Sequence, residues 1–305
     1  MKKYDFVAHL KTWLIVSAAI MLVGVACLAI FGVELDISFK GGTRIQYELK
    51  GAVDAGKVEK TVEEVLGYEV EMEQSDKMLT FTLTENIDNN KYTELQKRVD
   101  KDFPTLDTEN AQMQTLSASM GTKFLLRCAL ALGLAAALLI VYVGFRFRKI
   151  GGITAGVSAL FALVHDLLIV FFTFVIFGIE LNDNFVAVML TILGYSLNDT
   201  IVIFDRVRTL RRRSDAPLAD VVNDSLRHVL RRTIVTTVTT CLAILAVLVV
   251  AWAMGVNSII SFALPMLFGA ISGSYSSLFL SGPIWVKWME HREKKALKNQ
   301  RQPKR

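Results

Sequence analysis

Two carboxylates lie in an otherwise apolar stretch of this chain, where a lipid bilayer tolerates charge poorly. The stretch GYSLNDTIVIFDRV covers residues 194–207 and carries Asn198 beside Asp199, with Asp205 further along. A charge at the centre of a membrane helix costs at least ~2.5–3.5 kcal/mol, so ionisable residues there are functional candidates by default. The chemistry that such a buried carboxylate offers is the reversible binding of a proton or a small cation.

The elements that must hold these residues are long apolar segments. Hydrophobic residues make up 52% of the 305 residues, and the mean hydropathy is +0.42, which indicates a membrane protein. Six nearly uncharged runs reach the ~20 residues that a helix needs to cross a bilayer. They cover residues 13–32, 124–145, 152–177, 185–204, 233–253 and 258–286. The sequence therefore predicts an α-helical polytopic membrane protein with six transmembrane helices, the first an uncleaved anchor.

The distribution of Lys and Arg predicts how the chain sits in the membrane. Positive residues precede the first run, follow the second, separate the fourth from the fifth and follow the sixth. The short loops at 178–184 and 254–257 contain neither Lys nor Arg. By the positive-inside rule, both termini are cytoplasmic and residues 33–122 are external. The net charge of +5 then reflects topology and contact with anionic membrane lipids, and we expect no nucleic-acid partner because no basic folded domain is present.

This topology divides the chain into four parts. They are a cytoplasmic N-terminus with the first span (1–32), an external domain (33–122), a bundle of five spans (123–286) and a basic cytoplasmic tail (287–305). Cys27, Cys128 and Cys241 all fall within spans. The fold of the external domain therefore cannot depend on disulfides.

The external segment has the periodicities of an α+β domain. Strands are predicted after the Gly pair of ISFKGGTRIQYEL, at YEVEM, at LTFTL and near residues 111–116. Helices are predicted at VDAGKVEKTVEEVLG and NNKYTELQKRVDKDF, and a turn at QSDK. Val58, Val62 and Val65 fall on one face of the first helix, which Gly67 ends. The order β-α-β-β-α-β predicts a ferredoxin-like fold.

The cytoplasmic loop 206–232 is the most basic stretch of the chain. A short helix is predicted after Asp215, with Leu218, Val221, Val222 and Val229 on one side. A helix of this kind can lie at the level of the lipid headgroups.

Asp199 and Asp205 differ in their expected depth. Asp199 lies roughly 20 Å below the outer end of its helix, whereas Asp205 is six residues deeper, at the inner boundary, where Arg206 and Arg208 can offset its charge. Asp205 is therefore an anchor, and Asp199 is the anomaly that needs an explanation.

Partners for Asp199 are expected on the neighbouring helices. The third run offers Asp166, and the fifth opens with Arg231 and Arg232. A stripe of hydroxyls follows at i, i+3, i+4, i+7 spacing: Thr233, Thr236, Thr237 and Thr240. A titratable carboxylate, a guanidinium that tunes it and a line of hydroxyls are what a path for a proton or ion requires, and Asn198 belongs to the same set. The alternative is that these polar groups only join helices.

Enzymatic sites are not indicated. GAVDAGKV at 51–58 is one residue short of a phosphate-binding loop and has Val58 in the hydroxyl position. His165 and Asp166 resemble part of a metal dyad, but the other histidines are scattered and cannot complete it. The sequence therefore predicts a protein that is not an enzyme and has no cofactor or structural metal, with H⁺ or Na⁺ as its coupling ion.

Three stretches resemble the SecF family. They are LDISFKGGT after the first run, GYSLNDTIVIFDRVR in the fourth and NDSLRHVLRRTIVTTVTT entering the fifth. The six-span layout with a large first external loop is similar over essentially the whole chain. The resemblance implies membership of the RND superfamily, in which SecD and SecF each supply half of a twelve-span unit. It also singles out Gly41, Gly42 and Thr43 as the motif of the external domain.

The resemblance further implies a role in protein export. In this family the proton-motive force, or sodium in some members, pulls secreted polypeptide chains outward after they have passed through SecYEG. The implied partners are SecD, SecYEG, secreted polypeptides, accessory proteins of the YidC and YajC type and membrane lipids, in the bacterial cytoplasmic (inner) membrane. The family's ion path includes the Asp of the Asn-Asp-Thr motif and the Arg that opens the fifth span, which match Asp199 and Arg232 here.

Two other functions remain open on the sequence. An RND-type exporter half for lipids or small molecules would share the buried Asp but would need a second large external loop, and loop 178–184 has only a few residues. If the chain were a purely structural assembly subunit, Asp199 would be dispensable for its function.

Overall fold

The computed structural model describes residues 4–74 and 78–301. The helices are α1 (Leu10–Phe31), α2 (Ile37–Lys40), α3 (Ala55–Leu66), α4 (Asn89–Asp102), α5 (Ala118–Arg146), α6 (Gly152–Ile176), α7 (Asp183–Arg211), α8 (Leu218–Ala253), α9 (Asn257–Ser276) and α10 (Gly282–Arg301). A π-helical turn, Ser277–Ser281, joins α9 to α10 without interrupting the helix. Within the described ranges, six helical segments are long and apolar enough to cross a membrane, and they confirm the predicted polytopic helical protein.

Helices α6, α7 and α9 form the centre of the bundle, and α1, α5 and α8 lie around them with most of their surface exposed. Small residues make the central packing close. A Cβ added to Gly273 of α9 would lie 3.0 Å from Ser196 Cβ of α7, and one added to Gly269 would lie 2.7 Å from Ile192 Cγ1. Apolar helices associate through such close backbone approach because lipid offers no hydrophobic gain between them.

The first span reaches partners far along the chain. A Cβ on Gly24 would lie 2.3 Å from the ring of Phe172 in α6, and the Tyr275 hydroxyl donates to the Trp13 carbonyl at 2.8 Å. Before the helix begins, the Asn223 side-chain oxygen of α8 accepts hydrogen bonds from the Phe6 and Val7 amides at 2.9 and 3.2 Å. The N-terminal segment is thereby fixed to the start of α8.

Residues 42–116 form an α+β domain beside the bundle. Its strands are β1 (Gly42–Leu49), β2 (Glu71–Gln74), β3 (Met78–Leu83) and β4 (Leu106–Leu116), in the antiparallel order β2-β3-β1-β4. One face of the sheet packs on α3 and α4 around a core of Ile45, Tyr47, Val58, Val62, Leu66, Leu79, Phe81, Leu95 and Val99. Both predicted helices and all four strands are present, although β2 starts later and β4 earlier than predicted. The predicted turn at QSDK begins at Gln74, the last residue of β2, and its other three residues, 75–77, lie outside the described residues.

The first strand begins at the Gly pair, as predicted, and a short helix that was not predicted precedes it. Ile37–Lys40 is a short helix, α2, because Asp36 caps it by accepting from Ser38 N at 2.8 Å and Gly41 ends it at φ 80°. Ile37 and Phe39 are both buried, and this two-residue spacing imitates the alternation of a strand. The strand starts only at Gly42.

The prediction of a separate short helix at the level of the lipid headgroups is wrong. Helix α8 runs without a break for 36 residues, from Leu218 to Ala253. Its first turns bury Val221, Val222 and Val229 in a protein core that includes Phe6 and Trp285. The apolar side was identified correctly, but it packs on the bundle, and the segment contains no Gly or Pro to end a helix.

Candidate functional site

Asp199 lies on the buried face of α7, with 9% of its surface exposed. Its carboxylate interacts with the Ser274 side chain of α9 and with the charge of Arg232 on α8. The Ser274 and Thr237 hydroxyls share a short hydrogen bond, and Thr237 Oγ1 also donates to the Thr233 carbonyl at 2.8 Å. A carboxylate on α7 is thus linked through a serine on α9 to a threonine on α8.

Other predicted members of the site lie at its edge. Arg232 acts on Asp199 through its charge, and no contact of salt-bridge length joins them in the described part of the chain. Arg232, Thr236 and Asn198 are exposed at the bundle surface. The Thr236 hydroxyl donates locally, to the Arg232 and Thr233 carbonyls at 2.7 and 3.0 Å. The structure therefore connects Thr237 to Asp199 through Ser274 but leaves Asn198 and Thr236 exposed.

Asp166 occupies a different position from the one expected of a direct partner. It is fully buried on α6, and its carboxylate accepts hydrogen bonds from three hydroxyls. They come from Ser196 at 2.6 Å, Ser272 at 2.6 Å and Ser276 at 2.7 Å. Ser272 and Ser276 lie on one side of α9, and Ser274 lies about 200° around the helix from Ser272. Asp166 and Asp199 therefore contact different sides of α9.

His165 belongs to the Asp166 cluster. Its Nδ1 lies 3.2 Å from Asp166 Oδ1 and 3.4 Å from Ser272 Oγ. Its Nε2 is buried and has no hydrogen-bond partner within residues 4–74 and 78–301. The pair that resembles a metal dyad in the sequence is thus a hydrogen-bonded pair within a cluster of serines.

The serines of α9 were missed by sequence reasoning. Ser272, Ser274 and Ser276, together with Ser277, all take part in the polar contacts of the central helices. The signal was visible in AISGSYSSLFLSG, a serine-rich stretch in an apolar span. The hydroxyls of this stretch were not counted as hydrogen-bond donors.

Asp205 is held by two arginines at the end of α7 away from the α+β domain. Arg146 Nη2 lies 2.9 Å and Arg208 Nη2 lies 2.7 Å from its Oδ1, and 41% of the Asp205 side chain is exposed. Arg208 was expected, but the second arginine comes from α5 instead of being Arg206. The ion pairs fit an anchor at the membrane boundary.

The Gly-Gly-Thr motif joins α2 to the sheet. Gly41 ends α2 at φ 80°, and Gly42 enters β1 at φ 136°, where an added Cβ would lie 2.2 Å from the Leu83 carbonyl oxygen. Thr43 is buried, and its hydroxyl donates to the Glu85 carbonyl at 2.9 Å and accepts from the Ile87 amide at 3.2 Å. The motif fixes the geometry of the strand entrance.

A six-span helical bundle next to an α+β domain is a fold shared with known proteins. The family model described as protein export membrane protein SecD/SecF, C-terminal, matches residues 95–291. The chain belongs to the SecD/SecF family of protein export membrane proteins. The SecF subunit of the protein translocase of Alicyclobacillus acidocaldarius is 32% identical to it over 309 residues, covering 96% of both chains.

Members of the SecD/SecF family also occur as longer chains. The Bacillus subtilis protein translocase subunit SecDF is 30% identical over 303 residues, which cover 96% of this chain and 39% of that protein. The crystal structure of SecDF, a translocon-associated membrane protein from Thermus thermophilus, superposes with a TM-score of 0.79 at 26% identity. The match covers 94% of this chain and 39% of the SecDF chain, so the six-span fold corresponds to less than half of that molecule.

Proposed function

We propose that this chain is the SecF-type subunit of a protein-export complex and uses a proton or sodium gradient to promote the outward movement of secreted polypeptides. Its family membership and its near full-length similarity to SecF subunits support the export role. The buried Asp199 and its link through Ser274 to Thr237 support ion coupling. We assign no catalytic reaction to it.

The proposed partner within the membrane is a SecD chain. SecDF relatives combine a segment similar to this chain with a longer remainder, and this chain spans 39% of the Bacillus subtilis protein. The remaining partners in the proposal are SecYEG, the secreted polypeptides, accessory proteins of the YidC and YajC type and lipids. We place the complex in the bacterial cytoplasmic membrane with both termini inside.

The α+β domain is proposed to be external and ferredoxin-like. Its strand order β2-β3-β1-β4, with every neighbouring pair antiparallel and both helices on one face, supports the split β-α-β class. The α6–α7 connection supports an export role over a small-molecule exporter half, since only a few residues separate Ile176 from Asp183.

Asp199 carries the proposed mechanism. The carboxylate alternates between an ionised and a protonated or ion-bound form as the ion passes, and the guanidinium of Arg232 stabilises the ionised form. Ser274 can both donate and accept, so it can follow either state, and its bond with Thr237 transmits the change to α8. Because three helices meet at this chain of contacts, a change in the charge of Asp199 alters their packing.

The test is Asp199→Asn, which keeps size and polarity but cannot titrate. Folding and assembly with SecD should survive, whereas the gain in secretion rate under an imposed proton or sodium gradient should be lost. Asp205→Asn is the matched control, because that carboxylate lies on the same helix but is paired with Arg146 and Arg208 at the boundary. This control should retain most of the gradient-driven secretion.

Secretion at the wild-type rate by Asp199→Asn, at normal protein level and under the same gradient, would overturn the coupling role. Asp199 would then serve only to join helices. If SecD did not co-purify with the wild-type chain, this result would separately overturn the proposed assembly.

A further inference from the structure

The α+β domain meets the end of the helix bundle across a polar junction, beside a cavity of about 800 Å³. Asp36 N donates to Leu181 O at 3.1 Å, and Leu181 N donates to Glu34 O at 2.8 Å, so the chain before α2 pairs with the α6–α7 loop. On the opposite rim, Asn257 Nδ2 donates to Glu73 Oε1 of β2 at 2.5 Å. The sheet therefore faces the bundle across a water-accessible gap, with few direct ties.

One guanidinium in this junction interacts with two carboxylates. Arg44 of β1 forms a short hydrogen bond with Asp36, and its Nη2 lies 3.5 Å from Glu180 Oε2 in the α6–α7 loop. Glu71 of β2 also acts on Glu180 through its charge. If all the carboxylates are ionised, closing the sheet on the loop places three negative charges around a single positive one, which is unfavourable at a partly buried site.

A proton on Glu180 relieves this imbalance. The pKa of Glu180 is raised to about 7, mainly by burial in the junction and further by the Asp36 carboxylate, whereas the charge of Arg44 opposes this rise. Burial also acts on Asp36, but hydrogen bonds from Ser38 and the Arg44 guanidinium hold the pKa of Asp36 below its ordinary value. The proton therefore resides on Glu180, which can donate it in a hydrogen bond to Asp36.

We propose that Asp36, Arg44 and Glu180 form a proton-dependent clasp, which holds the α+β domain against the α6–α7 loop when Glu180 carries a proton. The charged groups that face Glu180 are Asp36 from the segment before α2, Arg44 from β1 and Glu71 from β2. Glu34 and Glu73 line the same cavity and add negative charge. When the α+β domain moves away from the α6–α7 loop, Glu180 becomes exposed to water and no longer faces the sheet.

The sign of the pH dependence follows from linkage. The pKa of Glu180 is about 7 in the closed form and returns toward its ordinary 4.5 when opening exposes it, so closing takes up a proton between these values. The stabilisation of the closed form is complete below about pH 4.5 and is lost as the pH rises through about 7. One-proton linkage makes the closed-to-open ratio roughly 30-fold higher at pH 5.5 than at pH 8.

The experiment measures the distance between the domain and the bundle in the purified full-length chain. The native cysteines are replaced by alanine, and spin labels are placed at Lys60 on α3 and at Met254 on the rim of the cavity, both exposed. Pulsed electron paramagnetic resonance then gives the closed fraction from pH 5 to pH 9. We expect one short distance at acid pH and a growing longer population above pH 7.

Three variants separate the clasp from general effects of pH. Glu180→Gln is neutral at every pH and should stay closed throughout the range. Glu71→Gln removes one negative neighbour and should move the midpoint to lower pH while keeping the transition. Glu48→Gln, an exposed carboxylate on β1 outside the cavity, should behave as the wild type.

A wild-type distance that does not change with pH, or a domain that opens on acidification, would contradict the clasp. Retention of the full pH dependence by Glu180→Gln would do the same. The measurement involves neither export nor an ion gradient, so its outcome is independent of the proposed function.

Discussion

At the scale of residues, the two buried carboxylates of the bundle have unlike surroundings. Asp166 accepts from three serine hydroxyls, which satisfy most of the hydrogen-bonding capacity of a carboxylate. Asp199 interacts with Ser274 and the more distant charge of Arg232. Asp166 is therefore suited to holding α6, α7 and α9 together, whereas Asp199 retains capacity to bind a proton or a cation.

This contrast predicts different outcomes for two serines of α9. Ser276→Ala removes a donor from a buried carboxylate and should lower the free energy of unfolding by about 1.5–3 kcal/mol, the range for hydrogen bonds to charged groups. Ser274→Ala breaks the link from Asp199 to Thr237 and should reduce gradient-driven secretion with a smaller loss of stability. Denaturant unfolding in detergent and secretion under an imposed gradient measure the two effects. Equal behaviour of the two variants in both measurements would refute the distinction.

The sequence allowed Asp199, Arg232 and Thr237 to be selected as candidates because charged and hydroxyl residues are conspicuous in an apolar span. It did not allow Asp166 to be assigned to its serine partners. Those hydrogen bonds join residues 30 to 110 positions apart, and only the packing of α7 and α9 decides which hydroxyls point at which carboxylate. The second arginine on Asp205 was missed for the same reason, since Arg146 lies on another helix.

At the scale of elements, the α+β domain carries its own core. A fragment of residues 34–120 should fold alone, because its core is built from its own strands and helices and contains no disulfide. A circular dichroism melt should show a cooperative transition, and a gradual loss of signal would count against it.

Thr43 gives a quantitative check in the same fragment. Thr43→Val removes the buried hydroxyl that ties β1 to the Glu85 carbonyl and the Ile87 amide, and should cost about 1–3 kcal/mol of unfolding free energy. Thr80→Val, on the face of the sheet that lines the cavity, serves as the control and should cost less. If Thr43→Val lowered the unfolding free energy no more than the control does, the structural role of the motif would belong to its glycines alone.

The elements that were predicted incorrectly show where local pattern stops being informative. Helix α2 was not predicted, because its apolar residues Ile37 and Phe39 have the spacing of a strand. A cap at Asp36 and a positive φ at Gly41 produce one turn of helix there. In α8, the apolar side of the first turns is the same whether it faces lipid headgroups or protein. The hydrogen bond between Asn223 and the N-terminal segment, 217 residues away in sequence, shows that the start of α8 packs on protein.

At the scale of the whole molecule, the topology is the feature most open to test. A cysteine introduced within residues 85–90 should react with a membrane-impermeant reagent added outside intact cells, because the distribution of Lys and Arg predicts an external α+β domain. A cysteine within residues 214–216 should react only after permeabilisation. The reverse pattern would invert the proposed orientation.

The six spans were predictable because each is a long apolar run, and no tertiary contact is needed to recognise one. The seating of the α+β domain on the bundle was not predictable. It depends on Arg44 meeting Asp36 and Glu180, a contact between three separate segments that carries no local signal in the sequence.

The long reach of the first span has a consequence for biosynthesis. Residues 4–31 are synthesised long before the groups that they contact, which are Phe172, Asn223 and Tyr275. At 5–20 residues per second, the 217 residues between Phe6 and Asn223 take roughly 10 to 40 s to synthesise. Helix α1 can remain in the lipid without its helix partners during this time, because Trp13 to Phe31 carry no charge. The first span can therefore complete its contacts only after most of the bundle has been synthesised.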